Sequence, residues 1–151
     1  FAKAFNSSVI IHSKEIKGSL RETAKKVGCK MIVFESGEVN RFDQNSIQVA
    51  VDGIFQALNK MKMIGSKVNS KVRFQKIFRN MKWIRASKSG LFHSDLKLGS
   101  KILNQQNIGE ITNIFGDHIA HVKSPCSGMI VGLATNPKVH QGDAIVHIAK
   151  R

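Results

Sequence analysis

From Phe1 to about Ser66, short apolar runs alternate with stretches whose apolar residues recur at the helical period. Ser8-Val9-Ile10-Ile11 reads as a short buried strand. Ser19-Leu20-Arg21-Glu22 opens a helix: Ser19 is placed to cap it, and Glu22, three residues on, completes a capping box. Gly28 stands where a helix C-terminal glycine stands. Lys30-Met31-Ile32-Val33-Phe34 reads as a second buried strand that delivers Glu35-Ser36-Gly37-Glu38 at its C-terminal end. A longer helix is predicted from about Asp43 to Met63, with Ile47, Ala50, Val51, Ile54, Leu58 and Met61 as its apolar stripe. Strand, helix, strand, helix implies parallel pairing through helical crossovers, a piece of an α/β layer too short to be a complete sheet.

After Gly65-Ser66 the helical period vanishes and short strands with turn residues run to the C-terminus, which places a domain boundary near residues 64–70. Gly and Pro cut the segment from Ser124-Pro125-Cys126 to Ile148 at close intervals, most clearly at Gly128, Gly132, Asn136-Pro137 and Gly142. A faint duplication joins Gly90-Leu91-Phe92 with Leu98-Gly99-Ser100-Lys101-Ile102, and Gly128-Met129-Ile130 with Gln141-Gly142-Asp143-Ala144-Ile145. Two such units would suit a small barrel or flattened sandwich with approximate two-fold symmetry.

Composition keeps this picture globular, with 42% hydrophobic and 23% charged residues over 151 positions. No apolar run is long enough to span a bilayer, and the N-terminus carries no secretory signal pattern, so a cytoplasmic protein without membrane contact is expected. The absence of an initial Met raises the expectation of a fragment or a trimmed chain. Cys29 and Cys126 lack metal-ligand spacing and read as free thiols of a reducing compartment.

The formal charge of +14 adds a second reading. Ten Lys and Arg residues from Lys60 to Lys88 come without an acid, interleaved with Phe74, Phe78 and Trp83, as on a stacking surface for single-stranded nucleic acid. Alternation such as Lys71, Arg73 against Val72, Phe74 equally gives strands one solvated basic face. No helix-turn-helix, RNP-like or Cys/His finger pattern accompanies the charge, so the balance is against nucleic acid, and a basic binding module for a polyanion stays as the alternative function.

Several short motifs, in order and spacing, resemble the C-terminal portion of the succinylglutamate desuccinylase/aspartoacylase family of zinc hydrolases. They are Gly18-Ser19-Leu20-Arg21-Glu22-Thr23-Ala24, Phe34-Glu35-Ser36-Gly37-Glu38, Arg41-Phe42-Asp43, Trp83-Ile84-Arg85-Ala86, Gly90, Leu98-Gly99, Ile108-Gly109, Phe115-Gly116, Ser124-Pro125 with Gly128, and Pro137-Lys138-Val139 with Gly142-Asp143. The resemblance covers essentially the whole chain. It implies an α/β remnant of a carboxypeptidase-like catalytic domain over residues 1–66, then an all-β barrel-sandwich (biotinyl/lipoyl-like) module over residues 67–151. One departure is Gln105, where the family usually has a second glycine after the one matched by Gly99.

The resemblance also implies the chemistry: hydrolysis of the amide of an N-acyl amino acid or similar small acylated compound by zinc-activated water. The family's zinc ligands precede the region matched here, so the full-length protein is expected to use zinc and this chain to bind no catalytic zinc and to be inactive alone. His12-Ser13-Lys14-Glu15 has a superficially similar ligand spacing but lies in the wrong part of the pattern, and a solvated strand end is the default. His93, His118, His121, His140 and His147 show no acidic companions at ligand spacing.

Glu35 falls on the family's general acid/base glutamate. A carboxylate at the end of a buried strand sits where α/β folds place active sites, and partial burial is what a proton shuttle needs; without the resemblance, Glu35 and Glu38 read equally well as a polar turn. Arg21, Glu38 and Arg41 are candidates for orienting an acyl carboxylate, against ordinary surface ion pairs. Met61-Lys62-Met63 copies the biotinyl tripeptide at a helix end rather than at a hairpin tip, so Lys62 is not expected to carry a cofactor. The β module could also serve assembly, which makes a homo-oligomer an open expectation.

Overall fold

The computed structural model describes residues 1–65 and 74–150. Most of the predicted linker at residues 64–70, and Lys67, Lys71, Val72 and Arg73 of the basic stretch, lie outside them. The chain divides into two compact units, Phe1–Ile77 and Phe78–Arg151.

The first unit holds helix α1 (Ala2–Phe5), strand β1 (Val9–Ile11), helices α2 (Leu20–Lys26) and α3 (Gln44–Lys60), and the start of strand β2 (Lys76–Phe78). Local signals set the helix ends. Ser19 caps α2 by accepting the Glu22 N–H at 3.2 Å, while the Glu22 carboxylate accepts the Gly18 N–H at 2.8 Å. Gly28 follows α2 at φ +72°, the left-handed conformation that ends helices. Asp43 caps α3 by accepting the Ser46 N–H at 3.0 Å.

The structure corrects the α/β expectation. Lys30–Phe34 is not a strand, and β1 pairs with β2 in a two-stranded sheet, the Lys76 N–H donating to the Ser8 carbonyl at 2.9 Å. An apolar run becomes a strand only where a neighbour takes up its backbone hydrogen bonds. This one places Phe34 against Phe5 instead, ring centroids 5.1 Å apart. The buried face of α3 also departs from the predicted stripe: it runs through Gly53 and Ala57, leaving Ile47, Val51 and Ile54 exposed.

The second unit is all β. Strands β3 (Asn80–Arg85), β10 (Ala144–Lys150), β8 (Gly128–Leu133) and β5 (Lys101–Ile102) form one four-stranded sheet in that order. Strands β7 (His118–Lys123), β6 (Asn107–Thr112), β4 (Gly90–His93) and β9 (Lys138–Val139) form the other. Every registered pairing in them is antiparallel. Residues of both sheets meet in one core: Ile84, Ile102, Ile130, Ile145, Val146 and Ile148 from the first, Phe92, Ile108, Ile111, Val122 and Val139 from the second. The two sheets exchange short strands, β5, which follows β4, pairing with β8, and β9, which follows β8, pairing with β4, whereas the second duplicated segment, Gln141–Ile145, lies beyond β9 and enters β10.

The expected barrel is also corrected. Among the described residues β3 and β5 edge one sheet and β7 and β9 edge the other, so no closed barrel forms. Period-two alternation specifies which side chains point inward, and it is silent on whether sheet edges join. With two residues each, β5 and β9 are too short to carry closure. The turn at Gln105 keeps a left-handed conformation without glycine (φ 63°), and its N–H donates to the Ser124 carbonyl at 2.7 Å.

Candidate functional site

Glu35 leaves the Lys30–Phe34 segment and is exposed to solvent. The loop after it folds back on the first turn of α3. Ser36 Oγ donates to Ser46 Oγ at 2.7 Å, and the Asp43 cap holds the same turn. The Ser46 N–H, the largest influence, holds the Asp43 carboxyl below the usual carboxylate range. Glu35 itself makes no hydrogen bond or ion pair among the described residues.

The other residues singled out from the sequence are engaged elsewhere. Arg21 donates to Ser13 Oγ and to the Lys14 carbonyl, both at 2.8 Å, and so ties that segment to α2. Glu38 and Arg41 pair at 3.2 Å on the surface, where an ion pair contributes little. His12 is exposed just beyond β1, and Glu15 is taken up by Lys25 at 3.1 Å. A backbone hydrogen bond to its own N–H, then Lys25, lower the Glu15 pKa. Lys62 follows the α3 cap residue Met61 at φ 58°, outside any hairpin. In the basic stretch, Phe74 is 81% exposed, whereas one face of Trp83 is covered by the His147 ring at 3.8 Å.

One constellation was not anticipated. Among the described residues, a single group of three potential metal ligands converges: Glu110, His118 and His121, with one ligand atom of each lying within 4.8 Å of the others. Glu110 stands opposite His121 in the β6–β7 register, and His118 stands opposite Thr112. His118 Nδ1 lies 3.1 Å from Glu110 Oε2, and the two imidazoles are 4.1 Å apart.

Residues three apart on a regular strand face opposite sides. Here Ile111 opposes Ala120 while Thr112 opposes His118, so Ile119 is the extra residue of a bulge, and it turns His118 to the face of His121. Ile111 and Val122 point the other way, into the core.

The hairpin that carries these groups is held at both ends. In its turn, Asn113 Oδ1 accepts the N–H groups of Phe115 and Asp117, both at 2.9 Å, and Asn113 Nδ2 donates to Asp117 Oδ2 at 2.8 Å. At the far end β6 lies so close to β4 that a Cβ on Gly109 would fall 2.4 Å from the His93 carbonyl oxygen. His93 sits opposite Glu110 on β4, and its Nε2 lies 3.1 Å from Thr112 Oγ1. The only sequence signal for the group is the hairpin register that sets Glu110 across from His121.

No family model and no curated protein matches the sequence. Solved structures do match in fold. The ectoine utilization protein EutE (DoeB) from Ruegeria pomeroyi, solved with product bound, has a TM-score of 0.89 at 14% identity over 99% of this chain and 47% of its own. A succinylglutamate desuccinylase/aspartoacylase from Rhodobacter sphaeroides has a TM-score of 0.81 at 18% identity, over 99% and 48%. An aspartoacylase family protein from Mesorhizobium loti has a TM-score of 0.74 at 12% identity, over 98% and 45%. The match runs through the sheet-rich chain as a whole, with no separate biotinyl-like module set apart in it. The chain spans about half the length of these proteins, and over that half it has the fold of the succinylglutamate desuccinylase/aspartoacylase family.

Proposed function

We propose that this chain is part of a zinc-dependent deacylase that hydrolyses the amide of an N-acyl amino acid or a similar small acylated compound. Glu35 is its proton-transferring carboxylate. The carrying observation is the fold match over 98–99% of the chain to deacylase-family structures about twice as long. In this role Glu35 takes a proton from the attacking water as the C–O bond forms, and gives it to the leaving nitrogen as the C–N bond breaks. The loop bonds to the first turn of α3 support the role by fixing the backbone next to Glu35.

The residues near Glu35 do not fit the metal. Glu35 belongs to no group of convergent His, Cys, Asp or Glu side chains among the described residues. The convergent group that the described residues do hold, Glu110, His118 and His121, lies on the β6–β7 hairpin and does not include Glu35. The exposed apolar side chains of α3, among them Ile47, Val51, Ile54 and Phe55, suit a surface that the other half of a deacylase covers.

The test is the coding sequence upstream of Phe1 and the activity of its full product. A His-Gly-x-x-Glu-like motif with a second His downstream is expected, together with release of free amino acid from N-acyl substrates. Glu35→Gln should lower kcat by about 10²–10⁴-fold. An upstream region without such ligands, or turnover indifferent to Glu35→Gln, would overturn the proposal. The chain alone should show no turnover.

A further inference from the structure

The outer face of the β6–β7 hairpin carries a group that the deacylase reading does not use. From it we infer a surface site for a divalent transition metal of the zinc, copper and nickel class, held by Glu110, His118 and His121.

Three features carry this inference. The first is donor chemistry. Two imidazoles and one carboxylate are borderline donors that suit zinc, copper and nickel, whereas magnesium and calcium favour all-oxygen shells.

The second feature is distance. Metal–ligand bonds of about 2.0–2.2 Å place tetrahedral donors roughly 3.3 Å apart. His118 Nδ1 and Glu110 Oε2 are already 3.1 Å apart, and all three donors fit within 4.8 Å. Both imidazoles are exposed, so modest side-chain rotations would close the remaining gap.

The third feature is the backbone. Without the bulge at Ile119, His118 would point away from His121. The Asn113–Asp117 turn and the close approach of β6 to β4 then hold the register, so the metal need not order the strands before binding. Three protein donors leave at least one coordination position for water or an outside ligand, and the bound ion clips β6 to β7.

Zinc binding to the tag-free, chelator-washed chain tests the site by titration calorimetry, with thermal unfolding as a second readout. One equivalent of Zn²⁺ per chain is expected, with a dissociation constant on the order of 10 µM for an exposed three-ligand site. The unfolding midpoint should rise on zinc addition. His118→Ala and His121→Ala should each weaken binding at least about tenfold and abolish the midpoint shift, as metal-linked stability requires. Glu110→Gln, which keeps size and shape, should also weaken it.

Cys29→Ser and His140→Ala should leave binding intact, which separates this group from the exposed thiol and from a histidine outside the cluster. No saturable binding up to about ten times that concentration would overturn the inference. So would binding lost in Cys29→Ser but kept in His121→Ala, or Mg²⁺ competing on equal terms with Zn²⁺.

Discussion

Gly53→Ala opposes two terms that can each be sized from the structure. Alanine inside a helix is favoured over glycine by about 0.8–1.0 kcal/mol, so the substitution alone should stabilise α3. Space argues the other way. A Cβ at position 53 would fall 2.6 Å from Phe5 Cε1 and Cζ and 2.8 Å from Cδ1. Carbon atoms pack at about 3.5–4.0 Å, so the Phe5 ring must retreat by about 0.9 Å or more. It is backed by Phe34, with ring centroids 5.1 Å apart, and cannot move freely.

The cost of the collision is limited by expelling the Phe5 side chain altogether, which forfeits about 1.5–3 kcal/mol of burial. The net expectation is a loss of about 0.5–2 kcal/mol. In a Phe5→Ala background the obstacle is gone, and Gly53→Ala should instead gain about 0.5–1 kcal/mol. Amide exchange across Gln44–Lys60 is the assay, because it reads the local opening free energy of α3 separately from the β unit. Faster α3 exchange with Phe5 present and slower exchange without it would confirm the coupling. Equal slowing in both backgrounds would refute the packing of α1 on Gly53.

Other outcomes follow from single groups. Ser124 is fully buried, and its hydroxyl donates to the Cys126 carbonyl at 2.6 Å. Ser124→Ala should therefore cost about 1–3 kcal/mol, read by fluorescence of the single tryptophan, Trp83, during urea unfolding. Asp43 and Glu15 both have folded pKa values below their unfolded ones, so the stability they add is present above the ordinary carboxylate pKa. It is lost as pH falls through the folded value: protection at the start of α3 should drop on acidification, and Asp43→Asn, which still caps, should remove that pH dependence. Ile54→Glu on the exposed stripe should change the chain's own stability by less than about 0.5 kcal/mol, and unfolding of Phe1–Ile77 by this variant would refute the exposure.

Features set by neighbouring residues were the legible ones. The Ser19 and Asp43 caps each rest on a side chain meeting an N–H three residues on, so four-residue motifs suffice to place both helix starts. The turn residues that break the β part into short strands were equally readable, since Gly128 opens β8 and Gly142 precedes β10. Features set by partners distant in the chain were not. Lys30–Phe34 has strand composition but no pairing strand among the described residues, and edge strands do not advertise whether they meet. The Glu110 group depends on a register and on one extra residue at Ile119, neither of which leaves a spacing signature in a list of histidines. The expected partial burial of Glu35 rested on a strand at Lys30–Phe34 that does not form, and the residue is exposed.

Glu35 and the apolar stripe of α3 are exposed together. In the β unit, isoleucines and valines from both sheets bury one another almost completely, so its stability is satisfied within Phe78–Arg151. In Phe1–Ile77 the buried apolar side chains of the helices are Phe5 and Ala57, while Ile47, Val51, Ile54 and Phe55 face solvent. Hydrophobic periodicity reports that a helix face is covered in the working protein, and it does not say by which residues. If the deacylase reading holds, the chain that covers α3 also encloses the loop leaving Glu35, because that loop is bonded to the first turn of the same helix. Burial of the stripe would then also remove water from the loop beside Glu35, so in the proposed deacylase an Ile54→Glu substitution, harmless to this chain alone, should lower turnover as well as stability of the full-length protein.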